Sequence, residues 1–324
     1  MLSHILRRVL QSFGVLAAMS LAVFAGVYAV GNPVDILVNP QADQNEIARA
    51  TAALGLDRPL LEQYFIFIKR AASGDLGRSF AFNVPAIGLI LERIPATLEL
   101  ATAAMLIAVL LGIPLGLWAG LKPRSAAGRT IMAGSILGFS LPTFWVGLML
   151  ILVFSVWLGW LPTSGRGPTV NLLGIPVSFL TAEGLRHLVL PAANLALFNL
   201  SLVIRLTRSG TREAIEQDYV RFARAKGLTE TRIVGVHVLR NVLVPVVTVV
   251  GVEFGSVIAF AVVTESIFAW PGMGKLLIDS INVLDRPVIV GYLCIVVALF
   301  VAINLCVDLA YAWLDPRVRL GEAS

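Results

Sequence analysis

Apolar residues run along this chain in blocks of about twenty, the length of helix that crosses a hydrocarbon core. The blocks fall at 9–30, 97–121, 131–158, 185–204, 242–263 and 288–313, and the longest polar stretches between them are 31–95 and 205–241. The pattern predicts an all-α integral membrane protein with about six transmembrane helices. The first block follows Arg7 and Arg8, and Val27-Tyr28-Ala29 is similar to a signal-peptide cleavage site. Its length, about 22 residues against the 7 to 15 of a signal core, favours a retained helix.

The stretch after the first span is long enough for a small helical subdomain outside the bilayer. Asp43 with Glu46 starts a helix that stops at Gly55, and Asp57 starts a second, DRPLLEQYFIFIKR, with Pro59 in its first turn. Leu60, Leu61, Tyr64, Phe65 and Ile68 share one face of that helix, which should lie against the membrane surface or neighbouring spans. Pro114, Pro142, Pro191 and Pro245 each fall inside a span, where a lost donor bends the helix and calls for other protein or a wet cavity to satisfy the freed carbonyl. The expected organisation is 1–30 as N-terminal end and first helix, 31–96 as subdomain, 97–313 as core with a loop at 205–241, and 314–324 as tail.

Composition agrees, with 57% hydrophobic and 14% charged residues, against about 25% charged in a soluble domain. The net charge of +5 does not point to nucleic acid, because the basic residues sit in short loops. Most cluster at Arg7 and Arg8, in KPRSAAGR, over 205–240 and at Arg317 and Arg319. That bias predicts both termini and the 205–241 loop in the cytoplasm, and 31–96 on the other side of the membrane.

Signals for chemistry are few. Cys294 and Cys306 share one span and would stand about 18 Å apart along a helix, too far for a disulfide. His4, His187 and His237 form no metal-ligand spacing, so no metal is expected. PGMGKLL contains Gly274-Lys275, but Ala269 stands at the leading glycine position of a phosphate loop and Leu276 where a hydroxyl must reach Mg²⁺. A tight turn is the better reading. Glu99, Glu253 and Asp308 lie in or near spans, each on a different one. Glu99 and Asp308 are expected near interfaces, paired with loop arginines. Glu253, about halfway along the fifth span, is the candidate to face a translocation path or another subunit. Asn194, Asn199 and Asn304 suit hydrogen bonds between helices.

The segment DYVRFARAKGLTETRIVGVHVLRNVLVP, 218–245, interrupts the apolar chain. Tyr219 to Lys226 reads as a helix with a slim face at Ala223 and Ala225, ended by Gly227 as a left-handed cap. Thr229 is then placed to cap a second helix, 230–242, running towards Pro245. A basic helix here could lie on anionic lipid. Small residues and a glycine corner instead favour close approach to a protein, with Arg221, Arg224 and Lys226 facing acidic partner residues.

ARAKGL followed by RIVGVHVLRNVLVP resembles the cytoplasmic coupling loop of the binding-protein-dependent ABC permeases of the dipeptide, oligopeptide and nickel branch. LRRVLQ, LGLDRPLLEQY, GDLGRSF, ERIPATLELA, LGWLPTSG, TESIFAWPGMGKLL and VDLAYAWLDPRVR are similar to that family's segments in the same order. The resemblance implies a fold of the ABC importer permease type in the inner membrane, a non-enzymatic subunit forming half of a pathway for peptides or a related solute. It also implies a second permease in a heterodimer, two ATPase subunits that bind ATP and Mg, no cofactor on this chain, and an extracytoplasmic solute-binding protein. Carried over by residue, the coupling segment is Ala223, Arg224, Ala225, Lys226 and Gly227. Two departures stand out: Arg221-Phe222-Ala223 where the broader family has Glu-Ala-Ala, and Gly31-Asn32-Pro33 where it has Gly-Asp-Pro. Nickel, glutathione-like compounds, sugars and opines stay open as cargo. A membrane enzyme and a stand-alone carrier are the rivals, but the first would need clustered catalytic residues and the second would usually show internal repeats.

Overall fold

The computed structural model describes residues 11, 14–22, 24–26, 43–53 and 57–314, without the side chains of 50, 53 and 308–314. Gly31 to Pro33, the side chain of Asp308, His4 and the terminal arginine pairs lie outside the described residues. The described chain is helical almost throughout, as the apolar blocks predict. It forms two compact units, 1–97 with 271–305 and 98–270 with 306–324. Helices are α1 (Gln44–Ala53), α2 (Leu60–Ala72), α3 (Ala86–Leu121), α4 (Ala126–Ser140), α5 (Thr143–Trp157), α6 (Ala182–Glu216), α7 (Asp218–Ala225), α8 (Glu230–Ile267), α9 (Met273–Asn282) and α10 (Arg286–Leu314). A two-stranded antiparallel hairpin, β1 (Val170–Leu172) and β2 (Ile175–Val177), pairs Val170 with Val177.

Four described helices are long and apolar enough to cross a membrane: α3, α6, α8 and α10 as far as Val307. The expected span at 131–158 is not one straight helix, because α4 and α5 meet at 109°. Pro142 explains the break: it lacks the donor that would continue the ladder, and it pushes Leu141 into an extended conformation with ψ near 136°. Pro191 and Pro245, by contrast, sit inside continuous helices. α8 therefore runs unbroken past Pro245. Its turns widen to π-helical winding at Ile233–Val238, as those of α5 do at Ile151–Trp157.

In the first unit, α2 is anchored through Tyr64 and Phe67. Tyr64 Oη lies 2.9 Å from Ser20 Oγ, and the rings of Tyr64 and Phe67 lie 5.4 and 6.0 Å from that of Phe24. Leu60, Leu61 and Phe65 remain exposed, so the apolar face read from sequence divides, with Tyr64 turned inward. Asp57 does not cap α2; the chain enters through extended Pro59 without a side-chain cap. PGMGKLL opens α9, where the Met273 amide donates to Thr97 Oγ1 at 2.8 Å. Asp285, fully buried, gathers the turn after GDLGRSF: Ser79 Oγ donates to it, with the amides of Phe80 at 3.0 Å and Ala81 at 3.3 Å.

The second unit is built on α6. Gly112, Gly116 and Gly120 of α3 face Val203, Thr207 and Thr211 of α6, and a Cβ on any of the three would meet that helix within 2.5 to 2.7 Å. Glycine spacing of four is thus a close-packing seam. Asn194 Nδ2 donates to Thr264 Oγ1 at 3.0 Å, the interhelical hydrogen bond its sequence position suggested, here between α6 and α8.

Candidate functional site

α6 ends at Glu216 and α8 begins at Glu230, so the projecting part of the 205–241 loop is short and ordered around α7. α7 holds its place by burying Val220 and Ala223 among Val203 and Ala214 of α6 and Ile233, Val238 and Val242 of α8. Asn241 Nδ2 also donates to Tyr219 Oη at 2.9 Å. The elbow thus has its own small core and behaves as part of the two long helices rather than as a loose loop.

Its corner is Gly227, with φ of +77°. The Gly227 amide donates to Arg224 O at 2.9 Å and the Leu228 amide to Ala223 O at 3.3 Å, the bonding of a helix closed by a left-handed residue. Apart from its two chain neighbours, no described residue comes within 4 Å of where a Cβ on Gly227 would stand. Glycine is required by the backbone angle alone. Thr229 makes no side-chain cap; its extended backbone turns the chain into α8, and its carbonyl accepts from Arg232 and Ile233.

The five residues expected to couple do not all point outward. Ala223 faces the elbow core. Arg224 Nε donates to Glu230 Oε1 at 2.7 Å across the corner. That hydrogen bond raises the guanidinium pKa and lowers that of the Glu230 carboxyl, so both stay charged. Ala225, Lys226 and Gly227 are exposed, as is Phe222, and Lys226 Nζ lies 4.5 Å from the Phe222 ring centroid. Phe222 and Glu230 were missed from sequence. An aromatic in the middle of a polar helix was the available signal for the first; the Arg224 to Glu230 contact spans a turn whose shape had to be known.

Glu253 is half-buried on α8, at the edge of a cavity of about 480 Å³. Ser256, Phe260 and Thr264 follow it on the same face of α8, at helical spacing. Leu195, Phe198 and Asn199 of α6 and Thr143 of α5 complete the wall. The prolines contribute by arrangement: the break at Pro142 brings the first residue of α5 to this cavity.

Glu99 is buried on α3 and engages a loop arginine, as its sequence position suggested. Arg166 donates through Nε at 2.9 Å and also through Nη2, which reaches Pro176 O at 2.7 Å. The other oxygen of Glu99 accepts from Ser178 N at 2.7 Å, Ser178 Oγ at 2.8 Å and Phe179 N at 2.9 Å. One carboxylate thereby fixes both ends of the β1–β2 hairpin onto the membrane helix.

Membrane-length helices around a polar-edged cavity, with a rigid elbow carried beyond their ends, define the transmembrane subunit of a transport system. Residues 112–320 match the family described as binding-protein-dependent transport system inner membrane component, and residues 1–101 match its N-terminal companion. The chain belongs to this family. It is 41% identical, over 98% of this chain and 99% of the relative, to the di/tripeptide transport system permease protein DppB of Pseudomonas aeruginosa. It is 38% identical, over 98% and 99%, to the dipeptide transport system permease protein DppB of Escherichia coli. Among solved structures, the inward-facing methionine ABC transporter MetNI shares its fold, with a TM-score of 0.57 and 16% identity over 71% of this chain and 97% of that one. This protein is thus a multi-pass inner-membrane permease component of a binding-protein-dependent ABC importer.

Proposed function

We propose that this chain forms half of a pathway for short peptides, paired with a second permease subunit, with both termini in the cytoplasm. Similarity to dipeptide permeases over nearly the full length supports the cargo class. Two ATPase subunits bind ATP and Mg and hydrolyse the nucleotide, and an extracytoplasmic binding protein delivers the peptide. The observation that carries the coupling role is the elbow: a short helix with a core of its own, a left-handed corner, and an exposed face of Phe222, Ala225 and Lys226. This face docks on an ATPase subunit. Closure of the ATPases pushes α7, and the push passes through its buried contacts to α6 and α8.

Crosslinking tests the docking directly, in a chain whose two native cysteines have been replaced. Phe222→Cys and Ala225→Cys are expected to crosslink to the co-expressed ATPase, whereas Val220→Cys, inside the elbow core, is not. Absence of crosslinks at Phe222, Ala225 and Lys226 alike would remove the docking role.

A further inference from the structure

The cavity beside Glu253 has a one-sided chemistry. Its polar lining is a carboxylate, three hydroxyls at Thr143, Ser256 and Thr264, and the amide of Asn199, and no lysine or arginine takes part. Among the described residues Glu253 has no hydrogen bond or ion pair. Arg205, further along α6, is occupied elsewhere: its guanidinium lies 4.5 Å from the Phe139 ring centroid and donates to Ser201 O. Asn199 is only 5% exposed, and among the described residues its Oδ1 has no hydrogen-bond partner. Thr264 is already bonded to Asn194, which fixes that side of the wall. A charged acceptor and a buried amide oxygen, both unpaired and both beside one cavity, call for a donor that carries positive charge.

We propose that this cavity is a transit site for the amino-terminal ammonium of the peptide, with Glu253 as its counter-ion and Asn199 as a neutral acceptor. The inference rests on the peptide reading above and adds an orientation to it. A peptide presents an ammonium at one end and a carboxylate at the other, and this wall holds a counter-charge for the first alone. The cavity volume of about 480 Å³ lies within the range of small-ligand sites, roughly 300 to 1,000 Å³. Leu195, Phe198 and Phe260 give the side chains an apolar surface without specific demands, which suits a passage open to varied peptides.

The test uses the whole transporter in proteoliposomes, with both permeases, the ATPases and the binding protein loaded with a radiolabelled dipeptide. Glu253→Gln keeps the shape and removes the charge. Loss of a hydrogen bond to a charged group predicts uptake at saturating loaded binding protein lower by about tenfold, with the binding-protein concentration at half-maximal rate unchanged. ATP hydrolysis stimulated by the loaded binding protein should persist, so the ATP consumed per peptide delivered rises by a similar factor. Glu253→Asp should restore most of the uptake. Uptake at the wild-type rate in Glu253→Gln overturns the proposal while leaving the peptide reading intact. Loss of the second permease on purification of Glu253→Gln also overturns it, because the counter-ion would then belong to the partner subunit. Failure of the unaltered transporter to take up the dipeptide with ATP present would sink the peptide reading itself, and this inference with it.

Discussion

Two arginine–glutamate pairs in this chain have the same chemistry and opposite surroundings. In the pair of Arg166 with Glu99 the side chains are 9% and 4% exposed, and in the pair of Arg224 with Glu230 they are 42% and 65% exposed. The first carboxylate accepts from the guanidinium, two backbone amides and a hydroxyl, and the guanidinium also donates to a carbonyl and lies 5.8 Å from the Trp270 ring centroid. Among the described residues the second carboxylate accepts from Arg224 alone and is otherwise exposed. Removing one member of a buried pair strands a charge, whereas removing one member of a surface pair exchanges it for solvent. Burial, more than distance, therefore decides which pair holds structure together: the Glu99 cluster is architecture, and the Arg224 pair trims the corner of the proposed docking elbow.

The largest expected effect follows from that difference. Glu99→Gln leaves Arg166 buried without a counter-charge and is expected to destabilise the protein by about 3 to 5 kcal/mol. Thermal unfolding in detergent should show it, with earlier proteolytic cutting between Trp160 and Thr181. Glu99→Gln combined with Arg166→Met should recover much of the loss, since the second change removes the stranded charge. A single mutant as stable as the parent would mean that water reaches the pair, and the contrast between the two pairs would disappear.

An intermediate effect is expected at the elbow corner, where the backbone rather than a charge sets the structure. Gly227→Val forces a β-branched residue to a φ of +77°, at a cost of about 1 to 2 kcal/mol. The space around the glycine is open, so the loss is conformational and should fall on coupling. ATP hydrolysis is expected to continue while uptake drops. Gly227→Asn, which tolerates the left-handed region better, should lie between the two. Transport unchanged in Gly227→Val would show that the corner need not be rigid.

Local sequence signals revealed the corner; for the buried pair they gave a loop arginine for Glu99, but neither which arginine nor how deeply it is buried. A glycine after a run of helix formers and before a fresh helix start is a statement about neighbours, and Gly227 adopts the angle that statement requires. The membrane-length helices were legible for the same reason: about twenty apolar residues need no partner to be recognised. Arg166 and Glu99 are 67 residues apart, and Asp285 meets Ser79 across 206. No periodicity encodes such meetings. Caps failed at Asp57 and Thr229 because several residue types can start a helix, and here Pro59 and an extended backbone did so. Pro142 broke its span where Pro191 and Pro245 did not, a distinction that depends on whether the surrounding helices hold the chain straight.

The smallest expected effect belongs to the Arg224 pair and has a definite sign with pH. Hydrogen bonding to Arg224 holds the Glu230 carboxyl below its usual value of 4.5. A depressed acid contributes stability that is complete above its unfolded value and is lost as pH falls through the lower folded value. Amide exchange at Leu228 and Thr229 in Glu230→Gln should therefore match or exceed that of the parent by at most a few-fold at neutral pH. As pH falls through that lowered value the parent should lose its advantage, and below it the two should exchange alike. Added salt should narrow the neutral-pH difference as well, because an exposed pair is screened. A large gap in exchange that survived salt would mean that the corner is shielded from solvent in the assembled transporter. It would then have to be classed with Glu99 rather than against it.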